Sequence, residues 1–321
     1  MHEVVFIQER ADTWEQLEAV VEEGAKVPPD EVADLYVQVT DDLAYARTFY
    51  PESEVVAYLN TLAQKTHRQL YRGRASRPQR VRRFWMQEVP TAIRNARGAL
   101  LLSALLFAVA VAIGTLSALH DSSFVRLIMG EHYVNMTLQN ISEGDPMAVY
   151  KQMQQTEMFV SIAVNNIYVS FLAFVLGIFF SLGTAYVLIQ NGIMLGSFHI
   201  LFYEEGLLWE ALLVIYIHGT LEIAAIVVAG GAGLVLGNSF LFPGTLPRLV
   251  SLRRGAKQGL KIIIGLVPVF VVAALLEAFV TRYTEMPIAA SLSVIVGSLV
   301  FLGWYFVYVP FYAPQSDNFP S

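Results

Sequence analysis

The residues of this chain with the most chemical potential stand where polar groups are costly. His218-Gly219-Thr220-Leu221-Glu222 interrupts a run of Leu, Val, Ile and Ala that begins at Leu207. A spacing of four puts the imidazole and the carboxylate on one helical face, about 6 Å apart along the axis. Glu222 can then accept from an imidazole N–H, fix the tautomer of His218, or hold the ring protonated. Other apolar stretches are broken by Asn165-Asn166, by Asn191-Gly192 through Gly196 with His199 one turn later, and by Glu277. Amide and ionisable groups in such surroundings face a bundle interior or a wet cavity. The candidate polar site is therefore His218, Glu222, Asn165, Asn166, Asn191 and His199. Two readings stand side by side: a hydrogen-bonded lock between helices, and a site for protons, ions or a metal.

A zinc-protease motif, H-E-x-x-H, takes two ligands and a base from one helix. Here the pattern is H-G-x-x-E, with one imidazole and one carboxylate. A third ligand would have to come from His199 or from an asparagine folding across, so His218, Glu222 and His199 are the metal candidates. On that ligand count no metal is expected, and no other cofactor. Ser161, Ser170, Ser181 and Ser197 lie outside any G-x-S-x-G elbow, and cysteine is absent. No catalytic residue is assigned. Glycines form a separate set: Gly230, Gly233 and Gly237 fall at i, i+3 and i+7, and Gly192–Gly196 and Gly233–Gly237 are GxxxG pairs. With Gly219 they are expected to let helices approach closely, within one chain or across a homodimer seam.

These residues must be positioned by helices in lipid. Hydrophobic residues make up 55% of the 321 and charged residues 15%, with a mean hydropathy of +0.51. Soluble domains carry about 25% charged residues, so a soluble globular domain, a disordered chain and a coiled coil are excluded. The apolar runs predict an all-α polytopic bundle. Gly98 to about Leu119 is the first passage; Met158–Tyr203 and Leu207–Phe242 are long regions; Ile262–Val280, kinked at Pro268, and Ile288–Val309 complete the set. With a turn placed at Gln190-Asn191-Gly192, the count is about six, one of them a short or re-entrant passage through roughly residues 192–204. No basic n-region followed by a short apolar core opens the sequence, so no cleavable signal peptide is expected.

Charge orients the passages. Residues 1–60 hold fourteen acids against three Lys/Arg, whereas residues 68–97 hold nine Arg against Glu88. The Arg run abuts the first passage, so Arg77, Arg80, Arg82 and Arg83 are expected at lipid head groups rather than on nucleic acid. Five basic residues in the loop 243–261 belong on the same, cytoplasmic side, and the acidic loop at about 120–157 outside. Three divisions follow: 1–97, a cytoplasmic helical domain ending in the Arg-rich segment; 98–310, the membrane bundle; and 311–321, a short cytoplasmic tail. The first comprises amphipathic helices around Trp14–Val21, from an Asp30 N-cap to Tyr50, and from Ser53 to Tyr71.

The chain resembles the stage II sporulation protein M family. The matching pieces are Phe6, Trp14 and Leu17-Glu18; Leu35-Tyr36; Asp42-Leu43-Ala44-Tyr45-Ala46-Arg47; Tyr58-Leu59-Asn60 through His67; and the Arg-rich approach. They continue with Asn165-Asn166, Asn191-Gly192, Leu195-Gly196, and His218-Gly219-Thr220-Leu221-Glu222 running into Ala229-Gly230-Gly231-Ala232-Gly233-Leu234. The resemblance implies an integral subunit of the cytoplasmic membrane that gathers cell-wall hydrolases in spore formers, some relatives being encoded near AAA-type ATPase and RDD-type membrane proteins. A scaffold or assembly subunit with membrane or envelope partners is thus the first functional expectation. A transporter or channel-like protein using the His/Glu/Asn set is the second. An intramembrane metal-dependent hydrolase is the third.

Overall fold

The computed structural model describes residues 2–23, 27–71, 77–151, 154–283 and 286–312, and every regular element among them is helical. Contacts divide the chain into two units, Met1–Arg80 and Val81–Ser321.

The first unit contains α1 (Glu3–Glu18), α2 (Pro29–Phe49) and α3 (Glu54–Tyr71). Their apolar stripes meet in one core, with Trp14 and Leu17 from α1, Val39 and Ala46 from α2, and Leu59 and Leu62 from α3. Trp14 Nε1 donates to Asp42 Oδ2 at 2.8 Å, and Arg10 Nε lies 3.6 Å from the other Asp42 oxygen. Tyr58 donates to Glu18 at 2.8 Å. The start of α2 differs from expectation: Pro28 is the cap and Pro29 the first helical residue, so Asp30 lies in the first turn. Proline suits that place because its missing N–H would have had no partner there.

The second unit takes in residues that composition assigned to the soluble part, because the Arg-rich approach carries an apolar stripe of its own. α4 (Arg77–Arg83), within which the division at Arg80 falls, leads through a π-helical turn at Phe84–Glu88 into α5 (Val89–Asn95). Val89, Ala92, Ile93 and Ala96 enter the same core as Leu221, Ile262 and Tyr305. Tyr305 donates to the Trp85 carbonyl at 2.7 Å and Lys261 meets Glu88 at 2.8 Å, fastening this segment down. Arg80, Arg82 and Arg83 are exposed. Arg72, Arg74, the Arg77 side chain and residues 313–321, which hold most of the expected tail, lie outside the described residues.

Among the described residues, six helices are long and apolar enough to cross a membrane: Arg97–His120, Gln155–Ile178, Leu182–Glu204, Leu208–Leu241, Arg248–Thr281 and Ile288–Tyr308. The protein is a multi-pass, all-α membrane protein. The first is α6 (Arg97–His120). The short α7 (Ser123–Met129) and α8 (Glu131–Ser142) follow, then α9 (Gln155–Val175) with a 3₁₀ extension to Ile178. Next come α10 (Leu182–Glu204), α11 (Leu208–Leu241), and α12 (Arg248–Leu275), which runs through Pro268 and ends in a π-helical segment, Leu276–Thr281. The last are α13 (Ile288–Leu302), with a π-helical extension to Tyr308, and α14 (Val309–Tyr312). Leu101, Leu105 and Leu116 of α6 are exposed, as a lipid-facing surface requires.

The third passage is not short. It is the whole of α10, 23 residues, and the break before it falls at Phe179–Ser181, where Phe180 (φ 55°) and Ser181 (φ 67°) adopt left-handed backbone. Asn191 and Gly192, expected as a turn, sit in mid-helix, because Gly192 serves packing instead. A Cβ there would stand 2.6 Å from Ala110 Cβ of α6, and one at Gly196 would run into Val111 and Thr115. Gly230 meets Leu188 and Ser103, Gly233 meets Ala173 and Thr184, and Gly237 meets Gly177 and Ser181. These glycine faces are used inside the chain.

Candidate functional site

Four helices and a cap line a half-open chamber of about 440 Å³. Asn165 and Asn166 reach it from the middle of α9, Asn191 from the middle of α10, and His218, Gly219 and Glu222 from α11. Phe107 of α6 closes one wall, and Met129 and Tyr133 close it from the α7–α8 segment. Five of the six expected site residues therefore share one cavity. Gly219 belongs with them rather than with the packing glycines: α11 is unbroken there, and an added Cβ would meet nothing nearer than Ile215 at 3.6 Å.

The sixth residue is elsewhere. The His199 ring stacks on Tyr216, centroids 5.8 Å apart and planes 16° apart, with Nε2 3.3 Å from the Tyr216 oxygen. It does not line the chamber, so it is not the third ligand that the sequence offered. That place goes to Glu277. Its ligand oxygen, one from Glu222 and one His218 ring nitrogen all lie within 4.8 Å of one another, the one such group of three among the described residues.

The expected His218–Glu222 pair is thus one edge of a triangle, and each member has another partner. Asn166 Nδ2 donates to Glu222 Oε1. His218, 5% exposed, has Nδ1 3.1 Å from Thr281 Oγ1 and Nε2 3.8 Å from Glu277 Oε2. The Thr281 hydroxyl gives its proton to the Leu276 carbonyl at 3.2 Å. Its oxygen can then accept from His218 Nδ1–H, in the tautomer that carries the ring proton on that side.

Local structure explains the convergence. His218 and Glu222 are one α-helical turn apart on α11. Glu277 and Thr281 are four apart in the π-helical end of α12, a departure from regular winding that recurs at functional sites. Ala273, Ala274 and Ala278 are buried beside them and let α12 approach α11 closely. Sequence reading singled out Glu277 as a polar intruder without joining it to His218, and missed Thr281 and Tyr133. The spacing of Glu277 and Thr281 was the available signal for the first two; nothing local marks Tyr133.

Comparison with known proteins adds two findings. A family described as "Stage II sporulation protein M" matches residues 103–282, which include the chamber's helices and all three members of the triangle. A second family, described as a domain of unknown function (DUF8413), matches residues 4–72, which lie within the first unit. No curated protein and no solved structure matches the chain.

Proposed function

Because the chain belongs to the stage II sporulation protein M family, we propose that it is a subunit of the cytoplasmic membrane whose membrane unit handles a cation in an intramembrane chamber. One observation carries the reading. Three groups able to bind a proton or a metal ion, drawn from two helices, meet at the wall of a cavity lined by asparagine amides. Such groups cost too much in hydrocarbon to be kept as filler, and transporters place them at cavities of this kind. Asn165, Asn166 and Asn191 supply amide oxygens that can replace the hydration shell of an entering ion, as carbonyl oxygens do in filters.

The test is flux. The purified chain is reconstituted into vesicles, and cation or proton entry is followed with indicator dyes. Entry by the wild type, lost in Glu222→Gln and Glu277→Gln, supports the reading; equal entry by all three overturns it. Orientation is tested with single cysteines in this cysteine-free chain. With the Arg-rich approach and the basic start of α12 read as cytoplasmic, Thr245 is expected inside and Ser142 outside, and both positions are exposed. In intact cells an impermeant thiol reagent should label Ser142→Cys and spare Thr245→Cys.

A scaffold for envelope proteins, including ATPase-associated membrane proteins and cell-wall hydrolases, is the second reading. It is favoured by the separate first unit, which has its own core and its own family match. If scaffolding is the main task, partners captured by the full chain survive His218→Ala and cells tolerate the loss of the triangle. If the chamber is the main task, His218→Ala abolishes function with the same partners still bound.

A further inference from the structure

We propose that His218, Glu222 and Glu277 bind one divalent cation of the zinc class, with Thr281 as the group that orients the imidazole. This deepens the chamber reading, on which it depends for the open coordination position. The convergence of three ligand atoms carries the proposal: one each from His218, Glu222 and Glu277, drawn from two helices, all within 4.8 Å of one another. His218 Nδ1 lies 3.1 Å from Thr281 Oγ1, and on the other side of the ring a Glu277 oxygen stands 3.8 Å from Nε2. With Nδ1–H given to Thr281, Nε2 is the nitrogen offered to a metal. Glu222 approaches the same point, its Oε1 already held by Asn166. One imidazole nitrogen and two carboxylate oxygens make a donor set suited to zinc and its neighbours.

The geometry fits after a small closure. Zinc binds nitrogen and oxygen at about 2.0–2.2 Å, so tetrahedral ligands stand about 3.5 Å apart. Ligand atoms within 4.8 Å of one another need close by no more than about 1.3 Å to reach that spacing. The surroundings match as well. A metal-bound histidine commonly donates its other N–H to a fixed acceptor, and ligating carboxylates are themselves hydrogen-bonded; Thr281 and Asn166 occupy those places. His218 and Glu222 border the chamber, which leaves a fourth position for water or for a passing ligand. The expectation of no metal rested on a ligand count of two, with His199 or an asparagine as the sources of a third; Glu277 supplies that third ligand.

The experiment uses the full chain in detergent, purified on a tag without histidine, stripped with chelator and titrated with zinc chloride. Bound metal is counted by elemental analysis, and thermal unfolding is followed in parallel. The proposal expects one zinc per chain and a higher melting temperature with zinc. It expects affinity at least about 100-fold weaker in Glu277→Gln and His218→Gln, and about 10- to 100-fold weaker in Thr281→Val. His199→Phe, placed off the chamber, should bind as the wild type does. Each variant is first shown to elute as a single species. If His218→Gln does not, the near-isosteric Glu277→Gln decides alone. A wild type that binds no zinc, or binds it equally after Glu277→Gln, overturns the proposal. Zinc bound without any vesicle flux leaves the proposal standing and removes the transport reading; flux without stoichiometric zinc does the reverse.

Discussion

Each unit of this protein buries a carboxylate against an aromatic or heteroaromatic ring, and the two are treated in opposite ways. In the first unit Asp42 receives the Trp14 N–H at 2.8 Å and has Arg10 beside its second oxygen. Donors outnumber acids there, and the arrangement is complete. In the second unit two carboxylates and the His218 ring converge, with Asn166 as a donor to one of the acids. Here the acids are grouped with an imidazole, and the proposed cation would join them. A buried acid met by its own donors specifies packing; acids clustered with a histidine beside a cavity are the arrangement expected of a functional site.

Substitutions should separate the two arrangements. The largest effect is expected at the triangle, where Glu222→Gln and Glu277→Gln each lower cation flux at least about 100-fold. The double variant should be no worse than either alone, since the members act as one unit. Additive losses in the vesicle assay would break the triangle into independent residues. Next in size is the contrast among glycines. Gly196→Leu drives a side chain into Val111 and Thr115 and should cost about 3 kcal/mol or more, seen as loss of folded protein in the membrane. Gly219→Ala, whose Cβ would make only ordinary contacts with Ile215 and Ile223, should leave the melting temperature unchanged or raise it, alanine being the better helix former by about 1 kcal/mol.

In the first unit, Asp42→Ala strands the Trp14 N–H and should cost about 1–3 kcal/mol. Faster proteolytic nicking within residues 1–80 would show it, with flux unaffected. The smallest effect is on alkaline stability. Burial, helped by the bond to Glu18, pushes Tyr58 from its ordinary 10 up to about 12. The fold thus holds the phenol proton more tightly than the unfolded chain does. That contribution is whole below pH about 10 and is lost as pH rises through about 12. Tyr58→Phe should flatten the stability of this unit across that window, and an unchanged alkaline slope would remove Tyr58 as its source.

The six passages were legible because each is a long apolar run, and the His218–Glu222 face because four residues make nearly one turn. What escaped depended on distant contacts. Asn191-Gly192 reads as a turn in one dimension, but its glycine accommodates α6, while the actual turn at Phe180 and Ser181 contains neither glycine nor proline. Glu277 could be seen as a buried acid, yet its partner lies on another helix and its aim depends on π-helical winding that periodicity does not reveal. His199 looked equivalent to His218 by composition; the ring of Tyr216 decided otherwise. The apolar stripe at Val89–Ala96 was hidden beneath the arginines around it.

The length of α11 bears on the lipid around it. Its 34 residues rise about 51 Å, against a hydrocarbon layer of about 30 Å, and the α12 span is of the same length. The excess must be taken up by leaning or by projecting beyond the acyl chains. His218 and Glu222 ride on one of these helices and Glu277 on the other, packed side by side. Bilayer thickness is therefore a mechanical load on the contact that sets the spacing of the three groups. A thinner membrane lays the pair over and a thicker one draws it upright.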